Sequence, residues 1–268
     1  MANNVIYLSP HLDDAALSCG GLIRRQVRAG TGVLVATVFA GRPSRTELSP
    51  FAAKLHAQWG HLSDPVAVRR KEDKKAMQLL GADYTHLEHP DAIYRFDNTS
   101  FLYLREPDLF GPLHPSDLKL VRQSAEAMTE LIHPQQSVIY APLAVGNHVD
   151  HQLVREAALT LHRRSYPVVF YEDYPYVELP GALTRELDCI GTEGWTEEVQ
   201  EVQEEDLAMK IEAIAAYASQ MDKLFQGVEV MSERVRDYAL ALSPEDGYCE
   251  RYWRLSHNMK PAVRDRSV

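Results

Sequence analysis

Val5-Ile6-Tyr7-Leu8-Ser9-Pro10-His11-Leu12-Asp13-Asp14 is the stretch that decides the fold of this chain. Four apolar residues in a row read as a strand buried on both faces, the pattern of a parallel sheet. Ser9-Pro10 ends the run. Asp13 or Asp14 then supplies helix-start chemistry, and Ala15 to Ala29 reads as a helix stopped by Gly30. Gly32 to Phe39 is a second buried strand, which makes the opening a β-α-β unit.

The same alternation continues outward. Residues 40–65 lack a clean period and read as a long loop with room for one short helix. Pro65 to Leu80 is helical and closed by Gly81. Tyr84 to Glu88 is a third strand, and residues 90–115 are again irregular. Ser116 to Ile132 reads as a helix with Ser116 as cap and Asp117 in its first turn. Ser137 to Ala141 is a fourth strand, residues 149–164 a helix and Val168 to Tyr171 a fifth strand. Beyond these, Leu183–Ile190 is a strand candidate, Glu197–Leu224 a long charged helix whose glutamates form a solvated face, Ser232–Leu242 a helix and Tyr248–Leu255 a last strand. This order predicts an α/β, Rossmann-like three-layer fold with a mostly parallel sheet, in one domain over residues 1–268.

Composition narrows the classes of function. The chain has 268 residues and a formal net charge of −10, a poor match for a phosphate backbone, so nucleic acid is excluded as the expected partner. Its short basic run, Val68-Arg69-Arg70-Lys71, reads as a solvated helix face. The three cysteines Cys19, Cys189 and Cys249 are odd in number and lack a C-x-x-C spacing, which fits a reducing compartment; Cys19 reads as core. Met1-Ala2-Asn3-Asn4 has no basic side chain and the apolar run after it is short, so no signal peptide is expected. No apolar run reaches the length of a membrane span. A cytoplasmic protein is the expectation, with homo-oligomer formation left open.

Ligands of open parallel sheets bind outside the carboxyl ends of the strands. After the first strand stand His11, Asp13 and Asp14, three groups able to bind a metal or move a proton. The two aspartates could simply cap the helix. But the turn lacks the glycines a dinucleotide site needs, and its carboxylates would repel phosphate, so a cation suits it better. Neighbouring Asp13 and Asp14 point in different directions, so one can ligate a metal while the other faces a bound water.

A hydrolytic zinc site needs three protein ligands and an open position. After the fourth strand comes Gly146-Asn147-His148-Val149-Asp150-His151. An H-x-x-H pair is weak alone among eleven histidines, and a second one, His86–His89, lies in a predicted strand where i and i+3 face opposite sides. His148 and His151 fall at a helix start, where i and i+3 share a face. Asp150 beside them is placed to hydrogen-bond an imidazole and fix its tautomer.

Taken together, these stretches resemble the LmbE-like, or PIG-L, family of zinc-dependent N-deacetylases. S-P-H-L-D-D (Ser9–Asp14) resembles the family's P-H-x-D-D, and G-N-H-V-D-H (Gly146–His151) its H-P-D-H, with Val149 in place of proline. R-R-K-E-D-K-K-A-M-Q-L-L-G (Arg69–Gly81) and K-I-E-A-I-A-A-Y-A-S-Q (Lys210–Gln220) resemble two further family helices. The resemblance spans roughly residues 5 to 255. It implies His11, Asp14 and His151 as ligands of one Zn2+ per chain, a set that Fe2+ or Co2+ could also occupy. It implies Asp13 as general base, and His148 as oxyanion donor or acid, oriented by Asp150. It implies Arg69 as a substrate contact and, more weakly, Asp91 as a partner of a sugar hydroxyl. Some relatives carry a tyrosine two places before the His148 position as an oxyanion donor; here that residue is Gly146.

The resemblance thus implies removal of an acetyl group from an N-acetylated amino sugar or sugar conjugate of N-acetylglucosaminyl type. An amidase acting on a thiol-sugar conjugate keeps the metal but changes the bond cleaved. A non-catalytic Rossmann-like binding protein keeps the carboxylates as helix caps. Loop residues Trp59, Tyr94, Arg95 and Tyr103 read as pocket contacts or, more commonly for such residues, as loop packing.

Overall fold

The computed structural model describes residues 4–59, 64–132 and 137–256; the leader reading at Met1-Ala2-Asn3 and loop residues 60–63 lie outside these. In chain order the elements are β1 (Asn4–Ser9), α1 (Asp14–Arg28), β2 (Val33–Thr37), α2 (Pro50–Gln58), α3 (Pro65–Leu80), β3 (Asp83–His86), α4 (Glu106–Leu109), α5 (Leu118–Leu131), β4 (Ser137–Pro142), α6 (Val149–Arg163), β5 (Val168–Tyr171), α7 (Ala182–Ile190), β6 (Trp195–Val202), α8 (Glu204–Ala215), α9 (Ala218–Leu224), α10 (Val228–Ala241) and β7 (Tyr248–Leu255).

The seven strands form one sheet in the order β3-β2-β1-β4-β5-β7-β6. The first five are parallel, and β7 runs antiparallel to both β5 and β6. Alternate residues of β1 serve opposite faces, as a pleated strand requires. Ile6 and Leu8 pack with α5 and α6, whereas Val5 and Tyr7 pack with α1, α3 and α8. Helices therefore cover both faces, giving the expected mostly parallel three-layer arrangement. Cys19 is fully buried in the second of these cores, as expected. Among the described residues no helix is long and apolar enough to cross a membrane.

Two elements differ from the sequence reading. Leu183–Ile190 is helix α7 and not a strand. Leu183, Leu187 and Ile190 pack on the core at i, i+4 and i+7, a helical spacing. Glu197–Leu224 is not one helix: β6 takes its first part and pairs with β7 from Trp195↔Leu255 to Val202↔Tyr248. Its glutamates mark a charged, mostly exposed sheet edge, and cross-strand pairing overrides their helix preference. Ser116 does not cap α5. Instead His114 accepts the Ser116 N–H in a short 3-10 turn, and Asp117 is buried beneath it. The basic run is not a solvated face either: Lys71 is exposed, but Arg70 bonds the Ala40 carbonyl at 2.8 Å and Arg69 turns inward.

The later stretch Lys210–Gln220, read as one helix, spans the end of α8 and the start of α9 and is tied to α3. Glu72 accepts from the Ser219 N–H and hydroxyl at 2.8 and 2.7 Å, and Asp73 accepts from the Tyr217 hydroxyl at 2.8 Å. His86 bonds the other oxygen of Asp73 at 2.7 Å, so the discounted His86–His89 pair has a structural occupation. A further apolar cluster, with Ala52, Trp59, Ile93, Tyr94, Tyr103 and Leu109, roofs the carboxyl ends of the strands.

Candidate active site

The chain builds the sheet outward from β1 to β3, then returns to β4 on the other side of β1. The crevice between the carboxyl ends of β1 and β4 is thus a topological switch point, where open α/β sheets bind ligands. His11, Asp13 and Asp14 follow β1 there, and His148, Asp150 and His151 follow β4. A pocket of about 600 Å3 is bordered by His11, Asp13, Asp14 and His148, and also by Arg69, Asp91 and Tyr176.

Neither aspartate is spent on capping. Asp13 stands at the N-cap of α1 but makes no side-chain cap bond; the Ser9 hydroxyl takes the Ala15 N–H at 3.0 Å instead. Asp14 Oδ2 accepts the His11 N–H at 2.7 Å and lies 3.3 Å from both His11 Nδ1 and His151 Nε2. His151 is buried. Its Nδ1 is 2.6 Å from Asp173 Oδ1, and among the described residues its Nε2 has no hydrogen-bond partner. Asp173 also accepts the Val145 N–H at 2.8 Å, so the carboxylate that faces His151 is itself fixed.

His148 caps α6. Its Nδ1 accepts the Asp150 N–H at 3.2 Å, which leaves Nε2 to carry the proton of the neutral ring. The sequence reading gave the orienting of His148 to Asp150, and the main chain of Asp150 performs it. The Asp150 carboxylate serves His11 instead: Oδ2 lies 2.9 Å from His11 Nε2 and accepts the Ala92 N–H at 3.1 Å, while Oδ1 pairs with Arg95. Arg69 Nη2 reaches Asp13 Oδ2 at 3.3 Å. Asp91 starts a short 3-10 turn by accepting the Ile93 N–H at 3.1 Å, and its other oxygen lies 3.8 Å from His11 Nε2.

The charges divide by position. Burial pushes the Asp13 carboxyl up to about 6, and the charge of Asp14 adds to the rise against the pull of Arg69. Burial also works to raise Asp14, but His151 and His11 outweigh it and hold that carboxyl well below its usual range. Asp150 is likewise held low against burial, by Arg95 and His11. Burial lowers His11 and His151, yet the flanking carboxylates overcome it and raise both. Burial, then the charge of His11, keeps His148 well below the usual imidazole range. Where the two imidazoles meet Asp14, the site favours positive charge.

Three sets of three donors are candidates to hold a cation. Ring nitrogens of His11, His148 and His151 lie within 4.8 Å of one another, but His148 Nδ1 is taken by the main chain. With Asp14 in place of His148, each imidazole-to-carboxylate separation is 3.3 Å. Donors about 2.0–2.1 Å from a tetrahedral ion stand about 3.3 Å apart. His151 Nε2, which has no hydrogen-bond partner among the described residues, faces the same Asp14 oxygen as His11 Nδ1, so the donor chemistry of His11, Asp14 and His151 suits a divalent cation. His11, Asp91 and Asp150 also converge, but Asp150 is committed to His11, Ala92 and Arg95.

Of the four loop residues, Tyr94 and Tyr103 are buried packing, Arg95 is buried and paired with Asp117 and Asp150, and Trp59 is packed and also borders the pocket. Sequence reasoning missed Asp173 and Tyr176. Both lie just past β5 in Tyr171-Glu172-Asp173-Tyr174-Pro175-Tyr176, and the rule that sites follow strand ends would have flagged them. Gly146 has φ +90°, and a Cβ there would lie 2.7 Å from Cβ of Tyr176. The ring of Tyr176 thus fills the space beside Gly146, edge-on to His151 at 5.7 Å between centroids.

Residues 6–162 match the PIG-L family, described as GlcNAc-PI de-N-acetylase. The chain is 33% identical over 183 residues to a 2'-N-acetylparomamine deacetylase of Niallia circulans, covering 64% of this chain and 66% of that protein, just under two thirds of its length. The zinc-inhibited form of a teicoplanin deacetylase superposes with a TM-score of 0.81 and 31% identity, over 93% of this chain and 97% of the other. A deacetylase of the A40926 pseudoaglycone gives a TM-score of 0.75 and 29% identity over 97% and 100%.

Proposed function

The chain belongs to the PIG-L, or LmbE-like, family, and we propose that it is a metal-dependent N-deacetylase that hydrolyses the acetamide of an N-acetylated amino sugar or sugar conjugate. The observation that carries this reading is His151, buried, with Nδ1 on Asp173 and Nε2 facing Asp14 at 3.3 Å without a hydrogen bond among the described residues. A metal-ligating histidine is held in this way, its far nitrogen donating to a carboxylate. The deacetylases that resemble the chain support the bond cleaved.

His11, Asp14 and His151 would hold the cation, with zinc preferred for two imidazoles and a carboxylate. When bound, it would polarise the amide carbonyl and acidify water. Asp13 takes the proton of the attacking water. Its raised pKa puts it close to the pH at which a base works best, and Arg69 holds it in place. His148 presents its Nε2–H, fixed by the N-cap bond, to the oxyanion that forms at the carbonyl. Tyr176 borders the same pocket, edge-on to His151, and would offer its hydroxyl as the second donor. The proton gathered by Asp13 passes to the amine as the C–N bond breaks, yielding acetate and the free amino sugar.

The pocket wall beyond these groups includes Phe51, Trp59, Leu109 and Phe110. That wall suits a sugar conjugate, with the sugar ring stacked and the remainder on apolar surface. Asp91, which also borders the pocket, would bind a sugar hydroxyl. The test is acetate release by zinc-loaded protein from a panel of N-acetylglucosaminyl conjugates that includes 2'-N-acetylparomamine. Release from at least one member is expected; a metal-loaded protein that releases acetate from none contradicts the reading.

A further inference from the structure

We infer that Arg95 is a positioning residue for the metal ligand His11, acting through Asp150; this rests on the reading of His11, Asp14 and His151 as the metal site. Arg95 is 4% exposed and lies where the loop after β3 passes beneath the pocket. Its guanidinium spans two buried carboxylates, pairing with Asp150 Oδ1 on one side and placing Nε 3.0 Å from Asp117 Oδ2 on the other. The Tyr103 hydroxyl donates to the same Asp117 oxygen at 2.8 Å. The rings of Phe39 and Tyr103 lie 5.0 and 5.3 Å from the guanidinium carbon, so the side chain is boxed in.

Asp150 has no exposed surface, and each oxygen has a fixed duty. With Oδ1 on Arg95, Oδ2 is turned to His11 Nε2 at 2.9 Å. A carboxylate only accepts, so His11 must donate from Nε2 and leave the Nδ1 lone pair on the side of Asp14. That is the nitrogen a cation would use. Without Arg95, the Ala92 N–H alone restrains the carboxylate, which can then rotate and release the ring. A planar fork is suited to span two carboxylates, which an ammonium, as a point charge, does not reproduce. The chain Arg95–Asp150–His11 therefore ties the segment after β3 to the metal ligand, and Asp117 holds the far side of the guanidinium.

The experiment compares wild type with Arg95→Met, Arg95→Lys and Asp117→Asn, each as the full chain. Zinc affinity is read by competition with a chelator. The exchange of the His11 ring N–H is read from its hyperfine-shifted proton resonance in the cobalt-loaded protein. Arg95→Met should bind zinc about 10- to 100-fold more weakly, the usual effect of losing an outer partner of a ligand, and its ring N–H should exchange faster. Arg95→Lys should recover part of both. Asp117→Asn, which leaves the Arg95–Asp150 pair in place, should lose stability but keep wild-type zinc affinity. If Arg95→Met does not fold, Arg95→Lys decides: weakened zinc binding supports the inference and wild-type binding overturns it. Equal weakening in Asp117→Asn and Arg95→Met would also overturn it, because the network would then be merely structural. Wild-type protein that takes up no stoichiometric metal would instead defeat the metal reading itself, and this inference with it.

Discussion

His151 and Asp173 form a buried pair in which Nδ1 lies 2.6 Å from Oδ1, and the opposite ring nitrogen is thereby aimed at Asp14. If this pair fixes the tautomer that binds a cation, Asp173→Ala should lower zinc affinity about 10- to 100-fold. Asp173→Asn should lower it less, since an amide oxygen can still accept from Nδ1. Chelator competition on folded protein measures both, and affinity unchanged in Asp173→Ala would remove Asp173 from the site.

Asp13 is expected to act on the chemistry and not on the metal. Asp13→Asn should retain bound zinc while turnover falls by about 10²- to 10⁴-fold, the range for a lost general base. Steady-state kinetics beside elemental analysis of the same sample separate these two quantities. Wild-type turnover in Asp13→Asn would sink the assigned mechanism.

The raised pKa of Asp13 also makes a stability prediction for metal-free protein. Its carboxyl sits at about 6 in the fold against an ordinary 3.8. A carboxyl raised by folding contributes stability that is full below the unfolded pKa and is lost as pH rises through the folded one. Asp13 therefore costs metal-free protein stability between about pH 4 and 7, by at most about 3 kcal/mol. Asp13→Asn should raise the urea midpoint at pH 7.5, and the gain should vanish near pH 4. A gain of equal size at both pH values would show that ionisation of Asp13 is not its source.

Gly146 and Tyr176 are expected to behave as a pair. Tyr176→Phe should lower kcat about 10²- to 10³-fold if its hydroxyl is an oxyanion donor, with metal content unchanged. Gly146→Ala forces a Cβ into the Tyr176 ring at a positive φ. It should cost about 1–3 kcal/mol by overpacking and lower kcat as well. Chemical denaturation and kinetics of both variants test this; a fully active Tyr176→Phe would leave His148 as the donor without help.

The core of the fold was legible because β1, β2, β4 and β5 are short apolar runs, and β1 and β4 are followed by clear helical periodicity. The carboxyl end of the sheet failed the same reading for local reasons. Trp195–Val202 is rich in glutamate and glutamine, which favour helix, and only its partner β7, about fifty residues later, makes it a strand. Leu183–Ile190 had a helical spacing that the apolar content disguised.

The site was legible where its residues are consecutive, as in His11–Asp14 and His148–His151. What the sequence could not supply was pairing across the crevice. Asp150 stands two residues from His148, yet its carboxylate serves His11, 139 positions away. Arg95 looked like a loop residue because its two carboxylate partners come from other elements. Tyr176 stands just past β5, where the rule that sites follow strand ends applies, but its packing into the space beside Gly146 is a contact the sequence does not show.

The most direct test of the central claim is the acetate-releasing activity of protein purified without chelator, followed through chelator dialysis and zinc return, with bound metal counted at each stage. The account predicts close to one divalent ion per chain at the start, activity that falls in proportion to the metal removed, and recovery when one equivalent of zinc is restored. Full activity in protein stripped of metal would contradict it.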